Sequence, residues 1–336
     1  MRRLLPLALL LSVLAGCGGT KVEREAPLSV TGSQSPSVPR ASTPGGGGIR
    51  IVVVTHGQAS SPFWAIVRNG VEAAARQMDV LVSYRAPDVY SLPLMKNLID
   101  QAVASHPDGL VVSIPEPGVA PAIRRAVKAG IPVVSINSGS DIAPKLGVLA
   151  HVGQPEDRAG LQAGERLARA GVRRALCVNQ QLGNVGLDAR CRGLAKAMRA
   201  VHGSSQVIAV NDQSATTPKR IANAIAVGRI DGVLTLNSTT GTEAVSAVRS
   251  VHKQGSVHIG TFDLGPDVLK AVKDGELDFA VDQQAYLQGY LPVVYLAQRA
   301  RYGLFPSQGD VVATGPNFVT KANAAKAIEL SRRSIR

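Results

Sequence analysis

The sequence predicts an α/β protein made of two similar, doubly wound lobes, each built on a parallel sheet. Short β-branched apolar runs alternate with amphipathic helical stretches, which is typical of a parallel sheet with helices on both faces. The pattern of the first half returns in the second, where residues 107–112 and 230–235 share an Asp-Gly step before an apolar run. The chain has 336 residues, and even without its first 48 it exceeds the usual size of one domain.

The first 16 residues are predicted to be a secretory signal peptide. Arg2 and Arg3 precede an apolar run over residues 4–14, and small residues lead to Cys17. Residues 14–17 resemble the bacterial lipobox, so Cys17 is a candidate for lipidation; an ordinary secretory signal with a chance cysteine is the alternative. We therefore expect a lipid anchor in the cell membrane and a protein that faces away from the cytoplasm.

Residues 17–48 are predicted to hold the lipidated cysteine and a flexible linker. The segment after Cys17 is rich in Ser, Thr, Pro and Gly, lacks an apolar period and ends in four glycines. Such a composition indicates a flexible coil. Functional residues are therefore expected from Ile49 onward.

The strands and helices of the two lobes follow in alternation. In the first half the predicted strands cover residues 51–55, 80–84, 109–114 and 132–136, and the helices between them cover 62–78, 92–106 and 119–130. In the second half the predicted strands cover residues 175–179, 207–210, 232–236, 257–262 and 279–281. Ligands of open parallel sheets bind beyond the carboxyl ends of the strands, so the residues after each strand are candidates for a site.

Two cysteines lie in the second predicted lobe. Cys177 is in a predicted strand and Cys191 is in the helical stretch that follows. In an oxidising compartment such a pair indicates a disulfide, and two buried free thiols are the alternative. Two cysteines without a nearby histidine do not complete a tetrahedral shell, so we expect no metal.

Charge and motifs argue against nucleic-acid binding and catalysis. The formal net charge is +13, but the basic residues are scattered and no helix-turn-helix precedes the first strand. The sequence contains no phosphate-binding loop, zinc-binding HExxH or nucleophile elbow. We therefore expect no nucleic-acid partner, no enzyme activity and no cofactor.

The first strand is followed by two adjacent aromatic residues. Ser61 is predicted to cap the next helix and Pro62 to begin it. Phe63 and Trp64 stand beside amides and hydroxyls, and such a surface suits a sugar, whose C–H faces stack on rings. Because neighbours on a helix point in different directions, we expect one ring in the core and one in the cleft.

Polar side chains also follow four later strands. These are Asn137 with Ser138, Asn237, Asp263 and Gln283. Amides and carboxylates can hydrogen-bond two vicinal hydroxyls at once. Any one of them could be a helix cap or a turn residue. Their recurrence at successive strand ends predicts a polar ligand cleft.

These segments resemble the type I periplasmic sugar-binding proteins of the ribose and galactose group, relatives of the LacI repressors' effector domain. The likeness extends from Ile49 onward and implies two lobes joined by a three-strand hinge. It implies an N-terminal lobe of residues 49–152 plus 284–313 and a C-terminal lobe of residues 153–283 plus 314–336. It further implies a monomer that captures a simple sugar or polyol by hinge closure, with an ABC permease and its ATPase as partners.

The resemblance also implies the ligand-binding residues. Those that match the family's pattern are Ser61, Phe63, Trp64, Asn137, Asn237, Asp263 and Gln283. The chain departs where Asn137 and Ser138 replace an Asp-Arg pair typical of ribose binders, and where Asp188 replaces a ligand arginine. Arg190 is a candidate replacement, although its family counterpart is more often structural. Plain ribose is therefore not expected as the ligand.

The loop after the first strand is longer than in ribose binders. It leaves His56 and Gln58 as further candidates for ligand contact. His56 by itself is interpreted as a structural hydrogen-bonding residue rather than a ligand contact.

Two uses of such a module remain open. One is a receptor that delivers its solute to an ABC importer. The other is a ligand-sensing lipoprotein that presents a sugar or nucleoside signal to a membrane receptor. Neighbouring genes for a permease and an ATPase would favour the first.

Overall fold

The computed structural model describes residues 48–57, 61–87, 90–211, 214–306, 309–332 and 335. The predicted signal peptide, lipidated Cys17, most of the linker and Gln58 lie outside these residues. The strands are β1 (Arg50–Val54), β2 (Leu81–Arg85), β3 (Gly109–Ser113), β4 (Val133–Ile136), β5 (Ala150–Gly153), β6 (Arg174–Asn179), β7 (Ser204–Ala209), β8 (Gly232–Thr235), β9 (His258–Phe262), β10 (Phe279–Asp282), β11 (Asp310–Ala313) and β12 (Asn317–Thr320).

Ten α-helices connect or cover these strands in the described part of the chain. They are α1 (Pro62–Met78), α2 (Leu92–Ala104), α3 (Ala120–Lys128), α4 (Glu156–Arg169), α5 (Val185–Ala200), α6 (Thr217–Gly228), α7 (Ser238–Ser250), α8 (Pro266–Asp274), α9 (Ala285–Tyr302) and α10 (Ala324–Ser331). None of the described helices has the length and apolar character needed to cross a membrane.

The strands form two six-stranded sheets, which confirms the predicted fold class. The sheet of the N-terminal lobe has the order β11-β5-β4-β3-β1-β2, and that of the C-terminal lobe has the order β12-β10-β9-β8-β6-β7. Neighbouring strands are parallel except β12, which runs antiparallel to β10. The two lobes thus share one strand arrangement, as the repeated pattern predicts.

Each sheet is buried on both faces, because helices cover both. In β1, Val52 and Val54 join the core beneath α2 and α3, whereas Ile51 and Val53 join the core beneath α1 and α9. Successive side chains of a strand point to opposite faces, so a strand covered twice must be apolar throughout. The C-terminal lobe likewise has one core against α4 and α5 and another against α6, α7, α8 and α10.

A disulfide joins the central strand of the C-terminal lobe to the helix above it. Cys177 in β6 is bonded to Cys191 in α5, with a Cα–Cα distance of 5.7 Å. Both residues are buried in the core between α4 and α5. The bond therefore fixes the position of α5, whose first residues border the cleft.

Three strands were not predicted, and one begins three residues earlier than predicted. The three are β5, β11 and β12. Edge strands β11 and β12 are each only four residues long and begin with a polar residue, and β5 carries His151 and Gly153. Strand β7 starts at Ser204 rather than Val207, because its polar first residues pair with β6 at an exposed edge.

The chain crosses between the lobes three times, in residues 154–155, 283–284 and 314–316. The crossings are bonded to one another, since the Gln284 side-chain nitrogen donates to Thr314 O at 2.8 Å. A Cβ atom on Gly315 would lie 2.9 Å from Gln154 Oε1 and 3.1 Å from Asp282 O. A larger residue at position 315 would therefore push the crossings apart.

Candidate ligand-binding cleft

Two polar residues occupy equivalent positions in the two lobes. Asn137 follows β4 with φ 65°, and Asp263 follows β9 with φ 66°. Non-glycine residues rarely adopt this left-handed conformation, in which Asn and Asp are enriched, and such residues cluster at functional sites. Both are buried, with 7% and 9% of their surface exposed. Each lobe thus directs one short polar side chain from the end of a central strand.

Gln283 connects these two side chains. Its Nε2 donates to Asp263 Oδ1 at 2.6 Å, and its Oε1 lies 3.4 Å from Asn137 Nδ2. Gln283 is buried and stands in the second crossing between the lobes. The structure thus brings together three residues singled out in the sequence, two from strand ends and one from the hinge.

Gln288 belongs to the same network, and the sequence analysis missed it. It lies in the first turn of α9 and has no exposed surface. Its Oε1 accepts from Asn137 Nδ2 at 3.3 Å, and its Nε2 lies 3.1 Å from Thr314 Oγ1 and 3.0 Å from Gln283 Oε1. An amide within the apolar stretch of α9 was the signal that could have revealed it.

Burial raises the pKa of Asp263 to about 6. The positive charge of Arg190 and the hydrogen bond from Gln283 act in the opposite direction, and Glu156 and Asp282 raise the pKa further. At neutral pH the carboxylate is ionised but poorly solvated. It is therefore a strong acceptor for hydroxyl groups of a ligand that enters the cleft.

Arg190 is buried and makes hydrogen bonds to protein groups. Its Nε and one terminal nitrogen donate to Glu156 at 2.6 and 2.9 Å, and the other terminal nitrogen donates to Leu236 O at 3.0 Å. The guanidinium also lies 4.2 Å above the ring of Phe262. These hydrogen bonds use three of its five N–H donors and brace the end of β8, and the role of Arg190 as a replacement for a ligand arginine stays a prediction.

The two adjacent aromatic residues are separated as the helical geometry requires. Trp64 is buried in the N-terminal core and packs edge-on against His56, with ring centroids 4.9 Å apart. Phe63 is half-buried and lines a small cavity between the lobes together with Asp263 and Gln283. Trp64 is therefore corrected from a cleft residue to a core residue, and Phe63 is the ring beside the polar groups.

His56 is a buried hydrogen-bonding residue. Its Nδ1 lies 2.9 Å from Ser113 Oγ, and its Nε2 lies 3.4 Å from Asn184 Nδ2 of the other lobe. Burial lowers its pKa to about 3, so the ring is neutral at physiological pH. Because Asn184 Nδ2 can only donate, the ring proton must stand on Nδ1.

The other residues singled out in the sequence are held by local contacts. Ser61 stands at the start of α1, but its side chain makes no capping hydrogen bond, contrary to prediction. Asp188 accepts from Asn179 Nδ2 at 2.9 Å and from Gly183 N at 3.2 Å, so its carboxylate braces the loop before α5. Asn237 caps α7 by accepting from Thr240 N at 2.9 Å.

The described residues include no group of three or more His, Cys, Asp or Glu side chains that could hold a metal ion. The buried groups at the strand ends include amides, hydroxyls and the carboxylates of Asp263 and Asp282, and the half-buried ring of Phe63 lies beside them. Such groups, contributed by two lobes on either side of a cleft, are typical of a protein that binds a small polar solute.

The model of the periplasmic binding protein domain family matches residues 51–303. The chain belongs to this family, whose members are solute-binding proteins and not enzymes. It is 26% identical over 307 residues to the xylose/arabinose-binding protein XylF of Sulfolobus acidocaldarius, covering 84% of this chain and 74% of that protein. It is 25% identical over 284 residues to the D-ribose/D-allose-binding protein of Pseudomonas aeruginosa, covering 78% and 82%.

A solved structure is also similar over nearly the whole folded part. It is the carbohydrate transporter from Acidothermus cellulolyticus 11B in complex with myo-inositol, with 35% identity and a TM-score of 0.80. The match covers 86% of this chain and 100% of the other.

Proposed function

We propose that this chain captures a neutral polyhydroxylated solute, a simple sugar or a cyclitol, between its lobes and delivers it to an ABC permease and its ATPase. The observation that carries the proposal is the link from Asn137 through Gln283 to Asp263. It joins hydroxyl-binding groups from both lobes at the hinge. A solute that binds both groups stabilises the closed form, because closure brings them together.

The electrostatics of the cleft favour a solute without negative charge. Arg190 is the one Lys or Arg that is buried among the described residues, and its guanidinium is paired with Glu156. Asp263 adds a carboxylate nearby. An anionic solute would therefore meet an unpaired negative charge in a dehydrated site, whereas hydroxyls would find acceptors.

We assign roles by lobe. The groups that bind hydroxyls from the C-terminal side are Asp263, Asn237 and Gln283. Asn137 binds them from the N-terminal side, and Ser138, whose hydroxyl lies 3.1 Å from Asn137 Oδ1, supports it. The Phe63 ring stacks on the apolar face of the solute. The remaining candidates hold these residues in place. In the N-terminal lobe, beside Phe63, they are Ser61, Trp64 and His56, and in the C-terminal lobe they are Asp188 and Arg190.

A cyclitol is the first candidate among such solutes. The similar structure from Acidothermus cellulolyticus was solved with myo-inositol, and it shares more sequence with this chain than the two pentose- or hexose-binding relatives do. The replacement of a charged pair by Asn137 and Ser138 fits a ligand whose every oxygen is a hydroxyl that can both donate and accept.

The remaining features concern location. We propose that Cys17 carries the lipid anchor and that the protein works as a monomer outside the cytoplasm. The boundaries between the moving lobes are proposed at residues 152/153, 283/284 and 313/314. A lipid anchor that is joined to the lobes by a flexible linker would leave both lobes able to contact a permease.

A thermal-shift panel tests the ligand. The full chain with Cys17→Ser, which cannot be acylated, is heated with myo-inositol, D-xylose, L-arabinose, D-ribose, D-allose or D-glucuronate. Ligand at about 1,000 times its Kd stabilises the folded state by about 4 kcal/mol, so the melting temperature should rise clearly for a neutral polyol. No shift with any neutral compound, or a shift with glucuronate alone, would contradict the proposal.

A further inference from the structure

The start of α5 in the C-terminal lobe rests directly on the N-terminal lobe. Val185 N donates to Pro115 O at 2.8 Å. Pro115 follows β3 of the N-terminal sheet, and Val185 is the first residue of α5. The two lobes are thus joined by a backbone hydrogen bond beside the cleft, apart from the three crossings.

Asn184 adds side-chain contacts at the same place. Its Oδ1 accepts from Gly186 N at 3.0 Å and from Leu187 N at 3.4 Å, which fixes the orientation of the amide. Ser138 Oγ of the other lobe lies 3.0 Å from this oxygen and 3.1 Å from Asn137 Oδ1, so it can donate its single proton to either one. Asn184 Nδ2 donates to His56 Nε2 at 3.4 Å. One buried residue therefore caps its own helix and contacts the opposite lobe through both ends of its amide.

The lobes approach too closely here for any solute to lie between them. A Cβ atom on Gly186 would lie 2.7 Å from Ser138 Oγ and 3.1 Å from Ser138 Cβ. The contact is therefore made between protein groups alone. Opening the lobes would remove it, because its members belong to different lobes.

We propose that Asn184 is a positioning residue, a latch that stabilises the closed form through contacts with His56 and Ser138. The inference rests on the proposed function, since it concerns how tightly the closed lobes hold their solute. A latch that does not touch the solute changes the fraction of closed protein. It therefore scales the affinity for every ligand by the same factor.

The test compares four proteins with myo-inositol and its epimer scyllo-inositol by titration calorimetry. Asn184→Ser keeps a helix-capping oxygen but is too short to reach His56, so the latch is weakened while the cap remains. Gly186→Ala introduces a methyl group at the contact with Ser138 and is compatible with an open form. Ser91→Ala is the matched control, because it removes a helix cap of α2, where the Ser91 side chain accepts from Leu94 N.

We expect Asn184→Ser to weaken binding of both epimers by the same factor, about 5- to 30-fold for the loss of one or two hydrogen bonds. Gly186→Ala should weaken both at least as much, and Ser91→Ala should change neither. Unequal factors for the two epimers, or unchanged affinity in Asn184→Ser, would overturn the proposal, since a solute contact distinguishes epimers and a latch does not.

Small-angle scattering of the ligand-free proteins separates this inference from the proposed function. If Asn184 is a latch, the ligand-free Asn184→Ser and Gly186→Ala proteins should have a larger radius of gyration than wild type, because their lobes are more often open. Ser91→Ala should have the same radius of gyration as wild type. If neither epimer nor any other compound of the panel binds, the proposed function fails, and scattering alone tests the latch. A larger radius of gyration in the two variants supports the latch, and an unchanged radius of gyration overturns it.

Discussion

Replacing Glu156 by Gln should lower the free energy of unfolding by about 3 to 5 kcal/mol, because it leaves the guanidinium of Arg190 buried without its partner. Only 2% of the Arg190 surface is exposed, and two of its nitrogens donate to Glu156 at 2.6 and 2.9 Å. Chemical denaturation of the ligand-free protein measures the loss. The carboxylate of Asp263 still compensates part of the positive charge of Arg190, so we expect a loss of unfolding free energy near the lower end of this range.

The chain offers a matched control for this substitution. Arg125 and Asp100 form an ion pair of similar geometry in which about half of each side chain is exposed. Exposed pairs contribute about 0 to 1 kcal/mol, so Asp100→Asn should have little effect. Replacing both buried partners, with Glu156→Leu and Arg190→Met, should recover much of the loss. Equal effects of Glu156→Gln and Asp100→Asn would show that the buried pair is not a stability determinant.

Asp263→Asn should weaken solute binding and yet stabilise the ligand-free protein. The Asn oxygen can still accept from Gln283, but the anionic acceptor for the solute is lost. Hydrogen bonds to charged groups contribute about 2 to 3 kcal/mol, so the affinity for the panel's best ligand should fall roughly 30- to 150-fold. Calorimetric titration measures this loss, and denaturation without ligand measures the gain in stability.

The gain in stability should depend on pH in a defined direction. The pKa of Asp263 is raised to about 6 in the folded state from its ordinary value of 3.8, so folding opposes ionisation of this carboxyl. Asp263 therefore destabilises the wild-type protein fully above pH 6 and not at all below about pH 4. Asn at this position should stabilise the protein by about 2 to 3 kcal/mol at pH 7.5, and the difference should vanish as the pH falls to 4. A pH-independent difference would contradict this assignment.

Periodicity predicted most of the fold because both sheets are covered on both faces. Strands such as β1 and β3 carry continuous buried apolar runs, residues 51–54 and 110–112, and α1 begins at Pro62 and ends at Met78, as predicted. Strands β11 and β12 were not predicted, because each has only four residues and too short an apolar stretch to indicate a strand. Their place in the sheets depends on pairing with β5 and β10, which local sequence does not encode.

The residues at the strand ends could be singled out, but their contacts could not. Asn137, Asp263 and Gln283 each follow a strand, and the rule for open sheets is enough to select them. Whether a polar residue faces the cleft or a neighbour depends on packing between distant segments. Arg190 illustrates this, because its partner Glu156 is 34 residues away and begins another helix. Asn184 was overlooked for the same reason, since its contacts come from the opposite lobe.

The three crossings also determine how late in synthesis each lobe can be completed. Five of the six strands in the C-terminal sheet lie in the continuous stretch from Arg174 to Asp282. The N-terminal sheet instead lacks α9 on one face, and its edge strand β11, until Ala313 has been made. The C-terminal lobe in turn lacks β12 and α10, which supply Val319, Ala324 and Ala327 to its core, until residue 331 has been made. The nascent N-terminal strands remain partly uncovered until nearly the whole chain has left the ribosome.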